Sequence, residues 1–161
     1  AGVGAGGAGV GAGAGVGAGG AGVGAGGAAT VGPTSAGWAW PHLGAITQRF
    51  GQSLTRYGTH HGIDIDGSTG DPVRAARDGQ VIAAGWLDSC GGLEVRIDHG
   101  DGYVSWYRHL SAALVTVGQS VDRGRVVGRM GNTGCSLGSH LHFAIQRDGA
   151  WVDPERYLPE R

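Results

Sequence analysis

Apolar and polar residues alternate in short runs through most of this chain, and no segment carries the longer period of an amphipathic helix. In "HHGIDIDG", Ile63 and Ile65 alternate with Asp64 and Asp66, the two-residue repeat of a strand with one buried face. "GQVIAAGWL" follows a turn at Asp78 and Gly79 and predicts another strand. "LEVRIDHGDGYVSWYRHL" divides into two runs at residues 99–102, which predicts a hairpin. "ALVTVGQSVDRGRVVGRMGNTG" reads as short strands between glycine turns, and "HLHFAIQRDGAW" as a further hairpin. The expected fold is mainly β, an antiparallel β-sandwich or open barrel.

The pattern is absent from residues 1–29, which contain only Gly, Ala and Val, with Val3, Val10, Val16 and Val23 in an imperfect seven-residue repeat. Ordering such a stretch costs much backbone entropy, and it has little side-chain area to offset that cost. It is expected to be a flexible low-complexity arm, with neither the bulky apolar run of a secretory signal nor that of a membrane span. "VGPTSAGWAWP" then reads as an extended lead-in over residues 30–42. Residues 43–161 are long enough for one core and form the expected functional domain.

Within that domain the seven histidines sort by their neighbours. In "SHLHF" a strand would place His140 and His142 on one face and Leu141 and Phe143 on the other. Two imidazoles sharing a face suggest a metal ligand, a proton-transfer group, or one of each. "HHGID" supplies His60 and Asp64, which have the same strand parity but stand about 13 Å apart if fully extended. A bend is therefore required to bring both to one ion, and Gly62 is where it is easiest. Catalytic zinc commonly takes three ligands from His and carboxylate and keeps a fourth position for water. His60, Asp64 and one histidine of the pair make such a set, and the other histidine would then lie where a general base is useful.

"HHGIDI", "WYRHL" and "GNTGCSLGSHLHF" resemble, in order, the H-x-x-x-D, isolated-histidine and H-x-H motifs of lysostaphin-type (LytM-like) zinc endopeptidases, which cut the peptide part of bacterial peptidoglycan. The similarity covers residues 43–158 and includes "GDPVRAARDGQVIAAG". It implies the family's duplicated hybrid type of antiparallel β fold, with one zinc ion bound by His60, Asp64 and His142. It also implies two catalytic histidines, His109 and His140, whose roles as base and as stabiliser of the intermediate are exchangeable. Ser139 stands where the family often has proline, which removes no functional group. A tyrosine near the first motif steadies the oxyanion in some members; Tyr57 and Tyr107 are both near, and spacing does not choose between them. Some relatives have lost zinc ligands and act as silent binding or regulatory modules, the alternative to an enzyme, whereas here all five positions are occupied.

His42 and His61 are expected to be, in turn, structural and a neighbour of the site, His99 a turn residue, and Asp66 a solvated strand residue. Cys90 and Cys135, an even pair in a chain with an expected extracytoplasmic substrate, are expected to form a disulfide. The formal net charge of -1 leaves no basic surplus for a phosphate backbone, so nucleic acid is excluded as a partner. "VTVGQSVDRGRVVGRMG" also resembles biotin- and lipoyl-carrier turns, but those cofactors attach to lysine and all twelve basic residues here are arginine. The expectation is a monomeric, extracytoplasmic, secreted or wall-associated peptidase whose partner is a peptidoglycan peptide.

Overall fold

A computed structural model describes residues 37–54 and 58–161. The arm, the lead-in up to residue 36 and Tyr57 lie outside the described residues. Among the described residues twelve strands follow one another: β1 (Ile46–Gln48), β2 (Ser53–Leu54), β3 (Gly58–Thr59), β4 (Ile63–Asp66), β5 (Pro72–Arg74), β6 (Gly79–Asp88), β7 (Gly92–Asp98), β8 (Tyr103–Ala113), β9 (Ser120–Val121), β10 (Val126–Met130), β11 (His140–Arg147) and β12 (Ala150–Val152). The helical content among the described residues is one 3-10 turn, Pro154–Arg156, capped by the Asp153 side chain.

The fold is mainly antiparallel β. One open sheet runs β1-β4-β11-β8-β7-β6-β9, with β12 beside β11 and β10 joining β8 to β5, while β2 and β3 pair separately. Both expected hairpins form: β7 turns into β8 through residues 99–102, and β11 into β12 at Asp148 and Gly149. Alternation decides which face is which. Ile63, Ile65, Leu141, Phe143 and Ile145 are fully buried on the core side of β4 and β11, which leaves Asp64, His140 and His142 on the other.

The described part of the lead-in adds to this core. Trp38 and Trp40 are buried, Ala39 N–H donates to the Ala76 carbonyl at 2.7 Å, and Trp38 meets Tyr103 edge-on with ring centres 5.8 Å apart. Beneath Trp38 lies a buried polar chain. His99 Nδ1–H donates to the Asp78 carbonyl at 2.8 Å, so its Nε2 is the acceptor, 2.6 Å from Ser105 Oγ. Ser105 lies 2.9 Å from the Tyr107 hydroxyl, which also accepts from Ala76 N–H.

Two expectations change here. His99 follows β7 at a turn but is a buried hydrogen-bonded group, because its ring packs against Trp38. Tyr107 is fully buried with its hydroxyl committed to Ser105 and Ala76, and it does not face the histidines.

Candidate active site

Strand pairing builds the site. In the antiparallel ladder of β4 and β11, Asp64 stands opposite His142 and Asp66 opposite His140. Cross-strand neighbours on one face are close enough to touch, so Asp64 reaches both imidazoles from the adjacent strand. His60 joins them from the loop before β4, through the expected bend at Gly62. Gly62 is needed there for a second reason, since a Cβ would come within 2.4 Å of the Phe143 carbonyl and 3.0 Å of the His142 ring.

His109 arrives by a different device. Along β8, Ser105, Tyr107 and Leu110 are buried, so the alternation slips by one residue between Tyr107 and Leu110. The partner strand shows the same slip: Leu93 pairs with Leu110 and Val95 with Tyr107. This is a β-bulge, and His109 occupies it with φ of +64°, a left-handed conformation that costs on the order of 1 kcal/mol or more in a non-glycine residue. The bulge re-aims His109, bringing its ring centre to 4.8 Å from that of His140 and 6.0 Å from that of His142.

The donor atoms converge. Asp64 Oδ1 lies 3.1 Å from His60 Nε2 and 2.9 Å from His142 Nδ1, and the two nitrogens are 3.0 Å apart. His60 Nδ1–H donates to the Arg49 carbonyl at 3.0 Å, which leaves the Nε2 lone pair pointing at the cluster. Tetrahedral zinc with bonds of about 2.0 to 2.1 Å separates its ligand atoms by about 3.3 Å. The three atoms therefore need to open by only a few tenths of an ångström. Three lone-pair-bearing atoms aimed at one point call for a cation, and this donor set fits zinc.

The electrostatics agree with that need. Burial opposes charge on Asp64, yet the neighbouring imidazoles of His142 and His60 prevail and hold its carboxyl far below the usual carboxylate range. Burial also opposes charge on His60, but Asp64 outweighs it and raises the imidazole. His142 is lowered, chiefly by burial.

The other two histidines are held by the loop between β10 and β11. His140 Nδ1–H donates to the Gly138 carbonyl at 2.8 Å, with Ser136 Oγ at 3.1 Å, so its Nε2 faces Asp64 Oδ1 at 3.7 Å. His109 Nδ1–H donates to the Thr133 carbonyl at 2.8 Å. Burial first, and then the neighbouring His140, push the His109 imidazole down to about 4. The same loop is tied back by a disulfide between Cys90 and Cys135, reinforced by Cys135 N–H donating to the Cys90 carbonyl at 2.8 Å.

All five residues line one groove of about 640 Å³. Asp66 is exposed on its wall, and exposed His61 stacks on Trp151 at its edge with rings 9° from parallel. His42 sits away from it beside Pro72 and Asp71. Sequence reasoning missed the carbonyls of Arg49, Thr133 and Gly138 and the side chain of Arg108. Carbonyls leave no mark in a sequence, and Arg108 in "WYRHL" reads as an ordinary solvated strand residue.

An antiparallel sheet with a His-Asp-His donor set and two further imidazoles in one groove makes a candidate metal site. Residues 58–154 match the model of peptidase family M23, and the chain belongs to that family. The murein hydrolase activator NlpD of Salmonella dublin is 41% identical over 133 residues, covering 83% of this chain and 34% of that protein. The chain thus spans about a third of that relative's length. A zinc-containing peptidase from Vibrio cholerae superposes with a TM-score of 0.70 at 30% identity, over 78% of this chain and 41% of that one. The catalytic domain of the antimicrobial peptidase lysostaphin from Staphylococcus simulans does so with 0.66 at 32% identity, over 70% and 90%.

Proposed function

We propose that this domain, residues 43–161, is a zinc-dependent endopeptidase that hydrolyses peptide bonds of cell-wall peptidoglycan, outside the cytoplasm. The observation that carries the reading is the convergence of His60 Nε2, Asp64 Oδ1 and His142 Nδ1, with His140 Nε2 next to them. One zinc ion held by those three residues would polarise a substrate carbonyl and make a water more acidic.

The protein's own groups perform the rest. His140 is anchored through Nδ1–H on Gly138, which turns its Nε2 towards the cluster, and this nitrogen takes the proton of the attacking water. His109, kept neutral by burial and anchored on Thr133, orients that water or stabilises charge on the tetrahedral intermediate through Nε2. Burial of His60 and Asp64 excludes bulk water beneath the reacting groups and strengthens these interactions.

A second reading is a catalytically silent activator or wall-binding module, which the 41% identity to a murein hydrolase activator favours. The complete set of five residues supports the enzyme. Removal of metal by a chelator should abolish release of wall fragments, and added zinc should restore it. Full cleavage by verified metal-free protein would end the metallopeptidase reading, and stoichiometric zinc with no cleavage of any wall chemistry would favour the module.

A further inference from the structure

The groove holds a guanidinium that is fixed in place yet only partly used. Arg108 stands directly across from His142 on β8, lines the groove and keeps 23% of its side chain exposed. Its Nε–H donates to Glu94 Oε2 at 2.7 Å, Nη2 lies 3.4 Å from Asp88 Oδ2, and the guanidinium carbon sits 4.7 Å from the Trp106 ring centre. Glu94 is fully buried, and its other oxygen accepts from Arg96 Nε at 2.7 Å. Arg96 in turn covers Trp106 at 3.6 Å.

Burying a carboxylate is costly unless its charge is paired, and here two arginines pair it. The consequence is that the plane and position of Arg108 are set before any ligand arrives. A guanidinium has five N–H donors, and among the described residues Nη1 has no protein acceptor. Asp66 lies on the opposite flank, on β4, so a peptide across the groove meets a cation on the β8 side and a carboxylate on the β4 side.

We propose that Arg108 binds a carboxylate of the peptide in the groove and so selects wall peptides in which that carboxylate is free over those in which it is amidated. This rests on the groove being a peptide site, as proposed above. Planar bidentate pairing of guanidinium with carboxylate is the chemistry that a pre-set Arg with a free edge offers.

The test uses synthetic wall peptides in which each carboxylate, internal or terminal, is converted one at a time to the carboxamide. Wild-type protein should prefer one free carboxylate over its amide by roughly 10- to 100-fold in kcat/KM, mainly through KM, the scale of one charge-assisted hydrogen bond. The same ratio should appear in the Kd measured by calorimetry on chelator-treated protein, where the peptide stays intact. Arg108→Gln should erase the ratio, and Arg108→Lys should restore part of it. Arg96→Gln disturbs the same Glu94 pairing but does not line the groove, and it should leave the ratio intact.

Equal kcat/KM for every peptide, or erasure by Arg96→Gln as complete as by Arg108→Gln, would overturn the assignment while leaving the peptidase reading in place. A Kd ratio that depends on Arg108, in protein that cleaves nothing, would support it while ending the peptidase reading.

Discussion

His140 and His142 share one face of β11, yet their removal should have different consequences. His142→Ala takes away one of the three proposed metal ligands, so zinc content and activity should fall together. His140→Ala should retain nearly stoichiometric zinc while turnover drops roughly 100-fold or more, the scale for a positioned general base. Metal analysis and turnover of both purified variants, with melts to check folding, decide this; equal loss of zinc would show the assignment to be wrong. A third histidine makes a separate prediction about stability. Burial, countered in part by the Asp78 carbonyl, lowers His99 to about 4 from its ordinary 6.5. Above pH 6.5 it is neutral in folded and unfolded chains alike and favours neither. As pH falls from 6.5 to 4 only the unfolded chain takes up the proton, so stability drops over that window, by about 3 kcal/mol. Urea unfolding at pH 7 and pH 4 should show this steeper loss in the wild type than in His99→Gln. Parallel pH dependence in the two would refute it.

At the scale of elements, the loop between β10 and β11 and the bulge in β8 position the chemistry. Two loop carbonyls, Thr133 and Gly138, fix the tautomers of His109 and His140, and the Cys90–Cys135 bridge ties that loop to the turn between β6 and β7. With a sequence separation of 45 between the cysteines, the chain-entropy model gives the bridge on the order of 4 kcal/mol. Replacing both cysteines by serine should therefore lower thermal stability and also reduce turnover, on the order of tenfold, as observed for outer partners of metal-site residues. Zinc content should be unchanged, because none of the three proposed ligands is anchored by this loop. Turnover equal to wild type at a temperature where the variant is fully folded would show that the bridge does not position the histidines.

For the whole molecule, the described residues already close a core that begins at Trp38 and includes Leu158. Residues 1–29 supply only Gly, Ala and Val, and nothing in that composition adds a chemical group to the groove. A chain starting at Thr30 should keep its unfolding free energy within about 0.5 kcal/mol and its activity on a soluble wall peptide. Loss of the cooperative melt in the shortened chain would make the arm part of the folded unit.

Alternation in "GIDID" and "SHLHF", the turns at residues 99–102 and 148–149, and the order of three short motifs were enough to read the antiparallel fold and to single out five residues that the structure brings into one groove. Those signals are local, since strand period and turn chemistry act over a few residues. What tertiary structure decided is non-local. The pairing of β4 with β11 set Asp64 opposite His142, and a one-residue slip against β7 aimed His109 into the groove. Packing under Trp38 turned His99 from a turn residue into a buried acceptor and took the Tyr107 hydroxyl into the core. A buried Glu94 between two arginines fixed Arg108 beside the site. Each outcome depends on which strands become neighbours, a property of the closed sheet that no window of sequence contains.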